Sequence, residues 1–345
     1  MKTTEFDYRL PEALIAQHSV EPRDQSRLLV LDRATGEYAH TKFYHIVDEL
    51  RCGDLLVFND TKVFRARLHA TAISAAGAEV KIEVFLLRTT TEKTWEVLLR
   101  PGRKVSVGQM IRLGNEISGE IMERHQDGTA LVTFDCSSEH MLDYANQYGE
   151  IPIPPYVKTQ PESLEQYQTV YARETGSVAA PTAGFHFTQR VLDALQEKGV
   201  EIAYVTLHVG IGTFRPMKTE TIEEHEMHSE TVVVSEATAS RIQKAKQEGR
   251  RVIAVGTTTV RTLEGVAKQC QGTVCPFTGD VNLFIKPGFT FQVIDGLITN
   301  FHLPKSTLLV LVCAFAGRES VLRAYKEAVD QSYRFFSFGD AMFIR

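Results

Sequence analysis

Apolar and polar positions divide the chain into two textures. Between residue 70 and about residue 150, apolar residues alternate with polar ones over short runs. Glu79–Leu87 (EVKIEVFLL) begins with clean alternation, and Thr94–Leu99, Val105–Leu113, Ile117–Met122 and Ala130–Phe134 follow. A period of two marks a half-buried strand. Gly77, Gly102, Gly108, Gly114 and Gly128 break the runs. Short, closely spaced strands of this kind predict a small barrel or sandwich. Glu150–Tyr156 (EIPIPPY) is a proline-rich exit from that region.

From about residue 178 the period changes. Gln189–Lys198 reads as a helix: Thr188 stands at its cap position, Val191, Leu192 and Leu195 share a face, and Gly199 stops it. Val200–Val209 reads as a buried strand. Ser235 caps a predicted helix running to Gln247, and Arg251–Val255 is the next buried strand. A helix is expected from about Val260 to Cys270, a strand ending at Leu297–Asn300, and an amphipathic helix over Glu319–Val329. Leu308–Ala316 is a buried helix or strand, too short to cross a bilayer. Near the start, Pro11–His18 reads as helix, and Arg27–Asp32 and Leu55–Asn59 as strands. Strand and helix in alternation predict a layered α/β fold with the sheet flanked by helices. The whole is an α/β domain of residues 1–69 and 156–345, interrupted by an inserted small β-barrel domain over 70–155.

Length and composition add little to this. With 345 residues, 43% hydrophobic and 23% charged, the chain is long enough for two ordinary cores. MKTTEFDYRLPEAL has no apolar stretch after its lysine, so no secretory signal is expected. Five scattered cysteines point to a reducing cytoplasm and not to a disulfide framework. A net charge of −5 lends no support to nonspecific nucleic-acid binding. Local basic residues at Arg88, Arg100, Arg103, Lys104 and Arg112 are candidates for an RNA grip on the β region, or for a solvated face.

Five segments carry candidate chemistry. Pro181–Thr188 (PTAGFHFT) precedes a predicted helix, whose exposed N–H groups suit an anion. Within it Thr182, Gly184 and Thr188 are binding candidates, Gly184 permits close approach of a ligand, Phe185 offers a stacking face and His186 an acid or base. A loop with a core histidine and two core phenylalanines would read the same way. Thr206–Pro216 (TLHVGIGTFRP) runs from a buried strand into glycines, placing His208, Gly210, Gly212, Thr213 and Arg215 at a strand's carboxyl end. Ligands of open α/β sheets bind there, though a tight bend has the same spelling and the dinucleotide fingerprint is incomplete. Ile253–Glu264 (IAVGTTTVRTLE) places Thr257 and Thr258 at a helix start, without the lysine of a phosphate loop. Arg261 is either a charged clamp or the partner of Glu264 at i+3. Thr299–Thr307 (TNFHLPKST) gathers Asn300, His302 and Lys305 in one loop. Glu223–Glu230 (EEHEMHSE) holds His225 and His228 at i, i+3, with Glu230 beside them. It lacks the H-E-x-x-H spacing of a zinc helix, and Cys270 and Cys275 have no second pair nearby.

Taken in order, these segments resemble one family along essentially the whole chain. FDYRLPEALIAQHSVEPRDQSRLLVLDR, GDLLVFNDTKV with ARL, YQTVYA, APTAGFHFT, TLHVGIGTFRP, EEHEMHSE, GTTTVRTLE, TNFHLPKSTLLVLVCAFAG and YRFFSFGDAMFIR are similar to the S-adenosylmethionine:tRNA ribosyltransferase-isomerases, the epoxyqueuosine-forming enzymes of queuosine biosynthesis. Three spellings depart from the family's pattern. Phe64 and Arg65 precede the ARL segment where a proline is usual. Gly279–Asn282 lacks the family's Gly-Trp-Thr before Leu283–Ile285. Phe185 replaces a leucine.

The resemblance implies a reaction. The ribosyl part of S-adenosylmethionine is transferred and isomerised onto 7-aminomethyl-7-deazaguanine at the wobble position of tRNAs with a GUN anticodon. Epoxyqueuosine-tRNA, adenine and methionine are released. No metal or redox cofactor is implied, because S-adenosylmethionine is a consumed co-substrate. A cytoplasmic monomer with no membrane partner is expected. The chemistry needs a base for the protonated amine and for the C5′ protons acidified by the sulfonium, and an acid for adenine. Histidine suits both roles. His186 and His208 lead, with His302 third and Glu230 as an amine ligand or base. Phe185 would stack on a base, and Thr257, Thr258, Arg261 and Lys305 would hold anionic groups. Two rivals make different predictions: a non-catalytic tRNA-binding module, and a metal-dependent hydrolase built on His225 and His228.

Overall fold

The computed structural model describes residues 1–74, 76–210, 217, 219–227 and 229–345. Its strands in chain order are β1 (Arg27–Leu31), β2 (Tyr38–Lys42), β3 (Leu55–Asn59), β4 (Thr61–Val63), β5 (Arg67–Ile73), β6 (Glu79–Thr89), β7 (Thr94–Arg100), β8 (Met110–Leu113), β9 (Ile117–Arg124), β10 (Thr129–Phe134), β11 (Glu174–Ser177), β12 (Glu201–Leu207), β13 (Glu230–Val234), β14 (Val252–Val255), β15 (Phe277–Val281), β16 (Gly296–Asn300) and β17 (Ala341–Ile344). The α-helices are α1 (Ile46–Glu49), α2 (Ser138–Tyr148), α3 (Gln189–Glu197), α4 (Glu236–Gln247), α5 (Thr257–Gln269), α6 (Thr307–Ala316) and α7 (Arg318–Asp330).

Nine strands form one sheet in the order β15-β13-β12-β3-β14-β16-β17-β1-β2. Its centre, β12-β3-β14-β16, is parallel. β3 reads LLVFN and is buried at every position, as befits a strand covered on both faces. Alternate residues of β3 serve different cores. Leu55 and Val57 pack under α4, α5, α6 and α7, whereas Leu56 and Phe58 pack with Val191, Leu192 and Leu195 of α3. The α/β part is therefore three layers, with the long helices on one face.

The β region is a closed antiparallel barrel, β10-β7-β6-β5-β8-β9. Ile82, Val84 and Leu86 of β6 point into its core, and the intervening residues face outward. Its first strand begins at Arg67, ahead of the expected boundary at residue 70. The strand expected over Val105–Leu113 is confined to Met110–Leu113, because Gly102–Lys104 forms a 3-10 turn and Gly108 takes a positive φ of 80°. α2, which the alternation did not predict, follows the barrel and buries Met141, Tyr144 and Ala145 on one face. The helix expected over Pro11–His18 is a single 3-10 turn at Glu12–Leu14, after which Ile15 bridges to Phe335. Cys270 and Cys275 form a disulfide across the turn after α5, where the sequence led to none being expected.

The topology brings chemistry to one edge. The carboxyl ends of β12, β3, β14 and β16 deliver His208, Asp60 and Thr61, Thr257, and Asn300 with His302. β17 is antiparallel to β16 and parallel to β1, so the segments entering both of those strands reach the same edge.

Candidate active site

His208 emerges from the end of β12. Its Nδ1 lies 2.8 Å from Thr61 Oγ1, and its backbone N–H donates to Thr231. The Thr61 hydroxyl also faces the Glu174 carbonyl at 3.5 Å. Across the shorter contact the hydroxyl can accept from Nδ1–H or donate to an unprotonated Nδ1. Nε2 has no hydrogen-bond partner among the described residues. His208 lines a hollow of about 560 Å³ with Asp60, Arg173 and Thr206, and a cleft of about 440 Å³ between barrel and sheet with Gly210, Glu230, Trp95 and Leu98. The ring lies against Gly176, where an added Cβ would come within 3.0 Å of it. Burial lowers the His208 pKa from its ordinary value, and the nearby Glu174 and Asp60 carboxylates oppose that shift. Burial therefore favours the neutral form of the imidazole.

Glu230 and Arg261 form a buried ion pair at the wall of this cleft. Arg261 also donates to the Leu283 carbonyl, so the Gly279–Ile285 segment with its altered spelling braces the pair. Glu264, the alternative partner at i+3, instead accepts three backbone N–H groups from Gln292, Val293 and Ile294.

His186 has a different setting. Asn300 Nδ2 donates to the Phe336 carbonyl at 3.2 Å, which fixes the amide's orientation. Its other proton points at His186 Nε2, 3.2 Å away. Nε2 must then accept, so Nδ1 carries the proton and donates to Ser26 Oγ at 2.7 Å. Burial, with the Arg23 and Arg334 charges, pushes the pKa down to about 3. Both nitrogens are engaged and the ring is neutral, tying β1, β16 and the Pro181–Thr188 segment together. His302 is likewise buried, 2.9 Å from Thr299 Oγ1, with its pKa lowered by burial to about 3.

Thr182, Thr257, Thr258, Asn300 and His302 line a smaller cavity of about 50 Å³, which shares Val209 with the 440 Å³ cleft. α5 begins here one turn earlier than the sequence indicated. Gly256 turns the chain into it at φ 89°, a conformation open to glycine. Thr259 and Thr262 direct their hydroxyls to carbonyls four residues back, which accommodates three consecutive threonines in a helix.

Other candidates lie outside these cavities. Phe185 is buried between Tyr167 and Phe338, with the Arg23 guanidinium 4.8 Å from its ring centre. It presents no open stacking face. Gly184 accommodates Tyr171, whose hydroxyl would sit 1.9 Å from an added Cβ; the close approach is by a core tyrosine. Thr188 occupies the cap position of α3 but donates its hydroxyl to Asp24 at 2.5 Å. Lys305 pairs with Asp7 at 2.8 Å. Gly212, Thr213, Arg215 and His228 lie outside the described residues. Among the described residues, no three His, Cys, Asp or Glu side chains are placed to hold a metal ion. On the barrel, Arg88 is paired with Glu96 and Asp280 and Arg112 with Glu79. Arg103 and Lys104 are exposed, with no ion-pair partner among the described residues.

Thr61, Asp60 and Asn59 were missed as site residues. Asn59 exchanges hydrogen bonds with the backbone of Leu207 and donates to Thr258, stitching the end of β12 to the start of α5. Asp60 accepts from Thr206 and Arg173. The signal was present: Asn-Asp-Thr directly follows a continuous apolar run, the same strand-end position that singled out His208.

The architecture is that of an α/β enzyme with an inserted barrel and a cleft at the carboxyl edge of its sheet. The chain belongs to the queuosine biosynthesis protein family, whose model matches residues 3–344. It is 53% identical to S-adenosylmethionine:tRNA ribosyltransferase-isomerase of Carboxydothermus hydrogenoformans and 50% identical to that of Desulfitobacterium hafniense, over the full length of both chains in each case. It also resembles the 2.00 Å crystal structure of S-adenosylmethionine tRNA ribosyltransferase from Thermotoga maritima, at 39% identity and a TM-score of 0.55, covering 99% of this chain and 100% of that one.

Proposed function

We propose that this chain transfers and isomerises the ribosyl group of S-adenosylmethionine onto 7-aminomethyl-7-deazaguanine in tRNA, with His208 as the general base. Full-length identity to enzymes of that name supports the reaction. The observation that carries the assignment of the base is the His208 ring, held through Nδ1 by Thr61, with Nε2 lacking a protein partner among the described residues and the residue lining the cleft beside Glu230.

Nε2 takes a proton from the aminomethyl ammonium, or from C5′ beside the sulfonium; the freed amine bonds to the ribosyl carbon skeleton, the sugar's bond to adenine breaks, and the C5′–sulfur bond breaks with its electron pair leaving on the neutral sulfide of methionine. The resulting imidazolium returns a proton as adenine departs. The Glu230 carboxylate at the same wall holds the ammonium while its negative charge is balanced by Arg261. The first turn of α5, with Thr257 and Thr258, offers hydroxyl and N–H donors to the methionine carboxylate. The reaction consumes S-adenosylmethionine and calls for no metal or redox cofactor. The acceptor is the wobble nucleoside of GUN-anticodon tRNAs, and the enzyme acts as a cytoplasmic monomer. Among the described residues, no helix is long and apolar enough to cross a membrane.

Single-turnover assays with aminomethyl-deazaguanine tRNA test this. Adenine release should fall by about 10²–10⁴ in His208→Asn. A folded variant that turns over at the wild-type rate removes His208 from the mechanism.

A further inference from the structure

A further pocket shares a wall with the cleft that His208 lines. Leu98, on the outer face of β7, borders the cleft that holds His208 and also a neighbouring pocket of about 270 Å³. Phe85, half-buried on the outer face of β6, forms one wall of it. Pro152, Ile153, Pro154 and Pro155 form another. Its charged lining is Arg67, Glu83 and Arg100, with Arg67 and Glu83 3.6 Å apart. Arg67 lies over the Phe85 ring at 5.7 Å, and its Nε is buried without a hydrogen-bond partner. A buried donor left unmade costs free energy unless a ligand meets it.

We propose that this pocket binds a nucleobase of the tRNA that flanks the modified one; the proposal rests on tRNA being the substrate. A flat ring fits between Phe85 and the prolines, as unstacked bases do on aromatic platforms. Arg67 donates and Glu83 accepts, so together they can read a base edge that presents an acceptor beside a donor. The shared wall at Leu98 places the pocket where the next nucleotide of a splayed loop would fall. The proline-rich exit from the barrel, Glu150–Tyr156, thereby acquires a role: its backbone is pinned to the barrel by mutual hydrogen bonds between Arg67 and Glu150, and its rings line the pocket. A methionine zwitterion would also meet an arginine and a carboxylate, but it would leave the aromatic and proline walls unused.

The test uses an anticodon stem-loop carrying the target nucleoside, together with copies in which one flanking nucleotide is abasic. In the wild type, one abasic position should raise KM for RNA by about tenfold or more, the loss expected for one stacked base. Phe85→Ala should give a similar rise with intact RNA, no further rise with that abasic RNA, and an unchanged KM for S-adenosylmethionine. Such non-additivity marks direct contact. Glu83→Gln, which preserves packing, should weaken RNA binding in the same way. The pocket assignment is overturned by an unchanged RNA KM in both variants, by a raised KM for S-adenosylmethionine, or by additive losses at every abasic position. RNA affinity measured without S-adenosylmethionine separates the two readings: a Phe85-dependent abasic effect in a protein that releases no adenine upholds the pocket and overturns the reaction.

Discussion

Thr61 Oγ1 and His208 Nδ1 lie 2.8 Å apart across the junction of β3 and β12. The contact joins the first residue of β4, just past the end of β3, to the end of β12 and holds the imidazole in place. Thr61→Val keeps the shape and removes the oxygen. One such hydrogen bond is worth about 1 kcal/mol, so kcat should fall roughly five- to tenfold. Thr61→Ser should restore it, and KM for S-adenosylmethionine should not move. Unaltered kcat in Thr61→Val would show that the hydroxyl does not orient the base.

The pH profile follows from the direction of the His208 shift. A base acts when unprotonated, and burial lowers this pKa. The acid limb of kcat/KM should therefore lie below the ordinary histidine value near 6.5, leaving activity flat through pH 7 on that side. An acid limb centred above 7 contradicts the assignment.

His186 makes a stability prediction. Its folded pKa is about 3 against 6.5 for the exposed side chain. The unfolded chain therefore binds a proton that the folded chain refuses, and stability is lost as pH falls from 6.5 toward 3. At pH 5 the loss from this residue is about 2 kcal/mol. His186→Gln should be less stable at pH 7, having lost the Ser26 and Asn300 contacts, yet should lose about 2 kcal/mol less between pH 7 and pH 5. Denaturant titrations at the two pH values read both quantities, and identical pH sensitivity in the two proteins would refute the neutral assignment.

The Glu230–Arg261 pair predicts asymmetric mutants. Removing one partner leaves a buried charge and should cost about 3–5 kcal/mol. Glu230→Gln combined with Arg261→Met should recover part of that stability without recovering turnover. A double variant that regains activity would make the pair structural.

Arg103 and Lys104 are exposed at a 3-10 turn of the barrel. Reversing both charges should weaken tRNA affinity and flatten its dependence on salt by about one phosphate contact per residue. Unchanged affinity and slope would place the RNA elsewhere.

Much of this site was legible in the sequence because strand ends announce themselves. Apolar runs followed by Gly, Thr or His located His208, Thr257 and Asn300, and the structure brings them to one edge. Other features depended on long-range contacts. Phe185 and Gly184 lie in a promising segment, but Tyr167, Tyr171 and Phe338 arrive from distant parts of the chain and enclose them. Lys305 looked like an anion ligand until Asp7 was placed beside it. α2 was missed although Ser137 accepts a capping bond from His140 and Met141, Tyr144 and Ala145 have helical spacing; the surrounding alternation masked that signal. β17, Ala341–Ile344, is a four-residue apolar run that acquires meaning only between β16 and β1.

The central claim is tested most directly by supplying the protein with S-adenosylmethionine and aminomethyl-deazaguanine tRNA and quantifying adenine, methionine and the modified nucleoside. All three should form in equal amounts, with the epoxycyclopentane ring on the nucleoside, and all three should be lost together in His208→Asn. Binding of tRNA without adenine release, or equal product from the His208 variant, would contradict it.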